Sequence, residues 1–578
     1  PLSSPVLHVV LWLRATSKLQ LSLSDRAPLR APIAQPTEAT PTTCRGSLSS
    51  SPSYPLLSSC SPDHQMSLRT RLFLLLSLFA LTAPVYSQPY PEAIEILRRY
   101  EQRPGVRVTA LVRDLQTGEP VLAHRTSEAF RPASLVKIPT TGAFLALRGH
   151  DYRFHIPVMI RGQIDGETLH GDLVLKASAD PSLGSHYIPN QKRLISEVKA
   201  LLEERGISRI TGRLIIDLKG FPRPFFNETW ADEDLDEYYG APISGFNIAD
   251  NYADLYLFSS DGEQPVVEPN VASLLVPTRQ ELHLGSSTRL DLTPMRRADT
   301  LLISGTVREG LSGRHLRWTM PDPPSYATMW LNEGLRLEGI DLQDRPELNY
   351  DELITGLDTL GYYTSLPADT LAKITNFRSS NIYAEGLAYA LNSYEQRKTG
   401  QPTVMRSYWR ERLGLTPTEF YPMDGSGLSP EGRLSSGALS LILSELWRDQ
   451  ALHKPFLASL PEAGVEGTVR SLSIPSEVTA YLKSGSMRGV RGYAGYLLHE
   501  DKWYSIVYIA NGAINSAEAR ATFTRLLTGL FTQQPLPPLP TPTKKIVAKG
   551  KKHSEHSKSS KKASHKASSK TSRKGKKR

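Results

Sequence analysis

Apolar residues recur at helical spacing at Ala93, Ile94, Ile96, Leu97 and Tyr100, which predicts an amphipathic helix over 91–101. The next stretch alternates. It predicts a strand over 107–114, a turn at Gln116-Thr117-Gly118-Glu119 and a returning strand over 120–124. Residues 131–150, RPASLVKIPTTGAFLALRGH, read as a loop leading into a small, apolar helix. From about 152 to 350 the pattern changes to short strands between Gly, Asp and Pro turns, as at 154–160, 171–175 and 213–217, with few helices, one over 192–204. Helical periodicity returns after Leu353. The pattern closes with a hairpin, 493–498 and 503–511, around His499-Glu500-Asp501-Lys502. A last helix follows, entered by a capping box of Asn515 and Glu518, with Ala519, Phe523, Leu526, Leu527, Leu530 and Phe531 facing inward.

A helix–strand–strand–helix start and a matching finish thus flank a β-rich middle. The economical arrangement is one α/β domain with a central antiparallel sheet, built from 88–151 and 353–533. The β-rich segment 152–352 is then an insert of one or two domains. Residues 534–578 read as a Pro-rich linker and a tail too poor in apolar residues to order itself.

Charge sharpens this division. The 578 residues carry a net charge of +10, which taken alone suggests an anionic partner. The tail from 544 to 578 holds 15 Lys/Arg against Glu555, a net of +14. Residues 1–65 and 66–87 each add +2, so the large middle is acidic at −8. The basic tail suits an electrostatic tether to an anionic envelope polymer or membrane surface, and specific nucleic-acid binding is not expected. Residues 1–65, rich in Ser, Pro and Leu, read as an untranslated or leader segment without order. Met66 opens an export signal: Arg69 and Arg71, an apolar run over 72–83, then a small-residue cleavage site at Val85-Tyr86-Ser87. Cys44 and Cys60 both precede Met66, so the exported chain would have neither a thiol nucleophile nor a disulfide.

Three short motifs carry chemistry. Ser134 and Lys137 share one face of a helical turn, where a neutral amine can take the hydroxyl proton. A serine at a helix N-terminus also has a backbone N–H free for an oxyanion. The spacing recurs at Ser196/Lys199 and Ser559/Lys562, but only Ser134 precedes a small apolar helix that suits burial under a sheet. Pro139 removes a helix donor and is tolerable only in an irregular first turn. Ser379-Ser380-Asn381 opens a second helix, and taken alone it reads first as an N-cap. Lys483-Ser484-Gly485-Ser486 sits on a strand before the terminal hairpin, where a cation, a hydroxyl and a glycine can receive a carboxylate and a substrate backbone. Lys398-Thr399-Gly400 has the same form, but it reads as a helix end, with Gly400 at the stop.

Taken in order, Ser-x-x-Lys, Ser-x-Asn and Lys-Ser-Gly resemble the motif set of the penicillin-recognising serine enzymes. Further stretches make the chain similar to the class C low-molecular-mass penicillin-binding proteins, the D-alanyl-D-alanine carboxypeptidase/endopeptidase family. They include GDLVLKASADPSLGS (171–185), YYGAPISGFNIADN (238–251), DGSGLS (424–429) and LPEAGVEGTVR (460–470). The resemblance implies a transpeptidase/β-lactamase-like domain that cleaves the D-Ala end or D-amino-acid cross-link of peptidoglycan peptide stems. It implies acylation by β-lactams and no cofactor or metal. By the same resemblance Ser134 is the nucleophile and Lys137 its base, Ser379 relays a proton, Asn381 holds the substrate amide and Lys483 supplies positive charge. Ser484 would bind the terminal carboxylate beside Gly485, and Ser134 and Ser486 would offer oxyanion N–H groups. Asp180 would meet the amino group of the stem's diamino acid. Such a substrate implies an exported, periplasmic or envelope-associated enzyme.

Three rival readings fit less well. A class A β-lactamase needs a deacylating Glu-x-x-Leu-Asn stretch and lacks so large an insert; no such stretch occurs here. A non-catalytic wall-binding protein on the same fold would not need all three motifs. A Ser-His-Asp hydrolase would need a nucleophile elbow, Gly-x-Ser-x-Gly, which the chain lacks.

Overall fold

The computed structural model describes residues 90–260, 263–269, 278–295, 300–532 and 534–537. The expected leader, export signal and basic tail, with Cys44, Cys60 and Ser559/Lys562, lie outside the described residues.

The first helix, α1 (Pro91–Glu101), buries the five residues whose spacing predicts it. The hairpin β1 (Val106–Asp114) and β2 (Pro120–His124) follows, then the 3-10 turn Ala133–Val136 and α2 (Lys137–Arg148). The middle supplies β3 (His155–Asp165), β4 (Thr168–Lys176), α3 (Arg193–Glu204), β5 (Leu214–Asp217), α4 (Pro323–Leu337) and β6 (Asp358–Thr364). The remainder contributes α5 (Ala368–Arg378), α6 (Asn381–Leu391), α7 (Thr403–Leu413) and α8 (Ser436–Arg448). It ends with β7 (Thr479–Met487), β8 (Val490–His499), β9 (Lys502–Gly512) and α9 (Ser516–Phe531). No helix among the described residues is long and apolar enough to cross a membrane.

The sheet that carries the chemistry runs β7-β8-β9-β1-β2, antiparallel throughout. Its seam joins the two ends of the described chain, in register from Val106 opposite Gly512 to Asp114 opposite Tyr504. The β9 sequence explains why it is central. Ile506, Tyr508 and Ala510 face α1 and α9, while Val507 and Ile509 face the opposite core with Phe144 and Trp409. Two buried faces turn the usual period of two into one apolar run. Each large side chain fully buried there, such as Phe523, contributes about 1.5–3 kcal/mol.

The middle forms its own mixed sheet, with β3 antiparallel to β4 and β5 parallel to β4. Leu194 and Val198 of α3 and Leu331 and Leu335 of α4 join Val158, Leu173 and Ile216 in its core. This sheet is completed by β6, which pairs with β3 beyond the expected insert boundary at 352. A register shift between Thr359 and Gly361 breaks the alternation of DTLGYYT, so the strand leaves little periodic signal.

Two local details differ from expectation. Asn515 caps α9 by accepting from the N–H groups of Ala517 and Glu518, but the Glu518 carboxylate pairs with Arg103 at 2.9 Å and does not reach back. Lys398 follows a separate short helix, Tyr394–Arg397, and does not end α6. Its ammonium bonds Glu395, and Gly400 takes the left-handed conformation of a chain stop.

Candidate active site

The first motif lies on a strained turn. Ala133 has φ 48°, a left-handed conformation that costs an alanine roughly 1–3 kcal/mol. This turn carries Ser134 in 3-10 geometry, and Lys137 begins α2. Pro139 therefore sits in the first helical turn, where its missing N–H has no intrahelical partner to lose. Its carbonyl accepts from the Trp409 indole at 2.8 Å. Gly427 holds the turn from the other side, with φ 81°; a Cβ there would come 1.9 Å from the Ala133 carbonyl oxygen. Gly427→Ala is therefore expected to destabilise the protein by about 1–3 kcal/mol and to slow acylation, read by thermal melting and fluorescent-penicillin labelling.

The second motif divides its labour within three residues. Ser379 ends α5 in a left-handed conformation, φ 55°. Ser380 is the N-cap of α6, accepting from the Tyr383 N–H. Asn381 then starts α6 and faces the first motif. Ser380 thus takes the N-cap, and Ser379 stands outside it.

Strand β7 brings in the third motif. Gly485 allows it to lie against the nucleophile turn, since a Cβ would come 2.7 Å from the Pro132 carbonyl oxygen. The Lys483 amine donates to Ser379 Oγ at 2.9 Å and to the Ser484 carbonyl at 2.7 Å. The Ser484 hydroxyl shares a 2.8 Å hydrogen bond with Thr468.

The three motifs converge. Lys137 Nζ lies 3.0 Å from Ser134 Oγ and donates to Asn381 Oδ1 at 2.7 Å and to the Ser426 carbonyl at 2.8 Å. Asn381 Nδ2 donates to the Tyr239 carbonyl of the middle segment at 2.8 Å. Above them opens a cavity of about 880 Å3, lined by Ser134, Ser379, Asn381 and Ser486. Its walls also hold Arg131, Arg378 and Arg488, and, from the middle segment, Glu233, Asp234 and Tyr238.

Burial sets the electrostatics. Lys137 is 0% exposed, and desolvation pulls its ammonium down to about 7 against the opposing charges of Asp424 and Glu385. Lys483 is equally buried, and desolvation, with Lys137 and Arg491 nearby, pushes it well below the usual lysine range. The positive charge expected of Lys483 is thus disfavoured before an anionic substrate arrives.

Asp180 stands apart from the cavity wall. It is 0% exposed, with Oδ1 accepting from the Ser182 N–H and hydroxyl at 2.8 and 2.6 Å and Oδ2 buried without a hydrogen-bond partner. Burial raises its carboxyl to about 6. Ser196 and Lys199 are engaged on α3, the serine with the Lys192 carbonyl and the lysine with Glu203 and Glu338. Sequence reasoning missed Thr468, Glu385 and the part played by Asp424. Glu385 had a usable signal, one helical turn after Asn381 and so on its face of α6.

Residues 94–533 match the model of the D-Ala-D-Ala carboxypeptidase 3 (S13) family. The chain is 23% identical over 452 residues to the D-alanyl-D-alanine carboxypeptidase DacB of Haemophilus influenzae, covering 74% of this chain and 91% of that protein. It is 22% identical over 437 residues to the D-alanyl-D-alanine carboxypeptidase of Actinomadura sp. (strain R39), covering 70% and 77%. Among solved structures it is similar to penicillin binding protein 4 (dacB) from H. influenzae, with a TM-score of 0.64 at 19% identity over 75% of this chain and 97% of that one. That likeness gives the fold, an α/β domain interrupted by further strands. With three quarters of its length matched, the chain belongs to the D-Ala-D-Ala carboxypeptidase 3 (S13) family.

Proposed function

We propose that this S13-family serine carboxypeptidase hydrolyses the D-alanyl peptide bonds of peptidoglycan stems, terminal or cross-linking, through an acyl-enzyme on Ser134. The observation that carries the assignment is the fully buried amine of Lys137, 3.0 Å from Ser134 Oγ and depressed to about 7. A large fraction is then neutral near physiological pH and able to act as a base.

Ser134 Oγ attacks the scissile carbonyl as its proton passes to Lys137 Nζ. The oxyanion is received by the backbone N–H groups of Ser134 and Ser486, which both border the cavity. The C–N bond breaks as Ser379, held by Lys483, delivers its proton to the leaving amine and takes in turn the proton that Lys137 accepted from Ser134, which leaves Lys137 neutral. Water, deprotonated by Lys137, then attacks the ester, releases the acyl group and returns the proton to Ser134. Asn381 orients both the substrate amide and Lys137. The Ser484 hydroxyl takes the substrate's terminal carboxylate beside Gly485, and that negative charge would favour the ammonium form of Lys483. The domain division is part of this reading, supported by the seam between β1 and β9 and by the separate sheet of the middle segment. The substrate places the enzyme outside the cytoplasmic membrane, with residues 66–87 as the export signal and the 544–578 tail as a tether to an anionic envelope polymer or membrane surface.

The test is digestion of purified pentapeptide monomers and cross-linked dimers, with products identified by mass. Loss of one alanine from the monomer, conversion of dimers to monomers, or both, is expected. A protein that leaves both intact while remaining folded has another function, and one that turns over penicillin rapidly without a lasting adduct is a β-lactamase instead.

A further inference from the structure

One buried ionisable group near the site has no part in the chemistry above. Glu385 lies on α6, one turn after Asn381, and is 5% exposed. Its two carboxylate oxygens accept the backbone N–H groups of Gly425 and Ser426 at 3.1 and 2.7 Å. The peptide so held is the one whose next carbonyl, that of Ser426, accepts from Lys137 Nζ at 2.8 Å. The loop has little freedom to move. A Cβ on Gly425 would come 2.8 Å from the Ala384 carbonyl oxygen and the Ala388 Cβ, and the Gly425 carbonyl accepts from the Thr140 hydroxyl at 2.7 Å. Asp424 closes the loop by accepting from the N–H groups of Gly427 and Ser429 and from the Trp230 indole.

The geometry around Lys137 shows what this arrangement can do. An ammonium has three donors, and the three acceptors present are Ser134 Oγ, Asn381 Oδ1 and the Ser426 carbonyl. A neutral amine has two N–H bonds and one lone pair. Asn381 and Ser426 offer oxygen acceptors for both N–H bonds, which leaves the lone pair facing Ser134. One of those acceptors is on α6 itself, and the other is held to α6 by Glu385.

We infer that Glu385 is a positioning residue for the general base: by fixing the Gly425–Ser426 peptide it turns the lone pair of Lys137 onto the Ser134 hydroxyl. This rests on the assignment of Lys137 as the base. The charged groups acting on Lys137 are Glu385 from α6 and Asp424 from its loop, which favour the ammonium, and the neighbouring Lys483 of β7 shares its burial. Burial and Asp424 raise the Glu385 carboxyl to about 8, while the two N–H donors and Lys137 favour its ionised form.

Two variants separate position from charge. Glu385→Gln replaces one acceptor oxygen with an amide that opposes a backbone N–H, and it removes the charge. Glu385→Asp keeps the charge but is one methylene too short to hold both N–H groups. The measurement is the acylation rate constant of full-length protein with a fluorescent penicillin, against penicillin concentration and pH. Both variants are expected to lose on the order of 10-fold to 100-fold in the acylation step, with little change in prior binding. With the Glu385 carboxyl raised to about 8, little of its charge is present at a limb near 7, so the acid limb stays near wild type in both variants and the loss is in the acylation step itself. A residue that only stabilises the fold would lower the thermal midpoint and leave the acylation rate constant of the folded protein unchanged. Either folded variant acylating at the wild-type rate overturns the inference, and if the glutamine protein does not fold, the aspartate protein decides. Lys137→Ala runs alongside. If it acylates as wild type, the base assignment falls and the positioning role with it. If it is inactive while the Glu385 variants are normal, only the positioning role is lost.

Discussion

Ser134→Ala is expected to abolish covalent labelling by penicillin and to lower release of D-Ala from a pentapeptide on the order of 10^5-fold to 10^6-fold, the scale for deleting a serine nucleophile. The size follows from how much depends on one atom. Ser134 Oγ is the hydroxyl 3.0 Å from the depressed amine of Lys137, on a turn held in place by Gly427 and Gly485. Without it, Lys137 has no hydroxyl to activate and the acyl group has nowhere to form. Ser379 cannot substitute, because its hydroxyl faces Lys483 from the end of α5. Ser486 lines the same cavity and offers a backbone N–H in the proposed reaction. Substrate binding should survive, since Asn381, Ser484 and the arginine-lined wall are untouched. So kcat carries the loss, and the peptide's affinity changes little. The fold should also survive: Lys137 keeps its bonds to Asn381 and Ser426, and the thermal midpoint should move by no more than a few degrees. Retained peptidase activity in a folded Ser134→Ala protein would remove the central assignment.

What was legible in the sequence had a local cause. Ser-x-x-Lys is readable because one helical turn spans it, the terminal hairpin because two apolar runs flank a polar turn, and α9 because its apolar period is clean. That both ends of the catalytic segment make one sheet was legible as a repeated element order, although the pairing of Val106 with Gly512 spans the whole domain. The remainder depends on contacts that no window contains. β6 is a strand because β3 supplies a partner, and its bulge hides the alternation. The Ser379-Ser380-Asn381 triplet reads as a cap or as chemistry, and only the kink between α5 and α6 gives the cap to Ser380 and turns Ser379 toward Lys483. Thr468 reaches Ser484 through a loop packed beside β7. Asp180 is singled out by the resemblance alone, as a partner for a substrate amino group, and its side chain is turned inward onto Ser182. Glu385 was concealed in a helix that reads as apolar, because its partners are two backbone N–H groups that leave no mark on composition.

Lys137→Arg is expected to be as damaging to acylation as Lys137→Ala, on the order of 10^3-fold to 10^4-fold, at every pH from 5 to 9. The wild-type protein should instead gain activity through a limb near pH 7. Burial favours the neutral amine, while Asp424 and Glu385 pull the other way, and the balance leaves Lys137 at about 7. Below that limb the ammonium has no lone pair, so the Ser134 proton has no acceptor. Above it the amine is neutral and the rate levels off. A guanidinium keeps its proton above pH 12, so arginine retains the cation and forfeits the base. Arginine also brings five donors to a site with three acceptors. The comparison separates two roles that alanine alone confounds. If Lys137 served only as a fixed positive charge for an oxyanion or a carboxylate, arginine would rescue part of the rate, and activity would fall as pH rises through 7. If it is the base, arginine rescues nothing and activity rises over the same interval. The rate of penicillin acylation across pH 5 to 9 for wild type and both variants reads the difference. A flat wild-type profile, or an arginine protein within 10-fold of wild type, is incompatible with a neutral Lys137 as the proton acceptor.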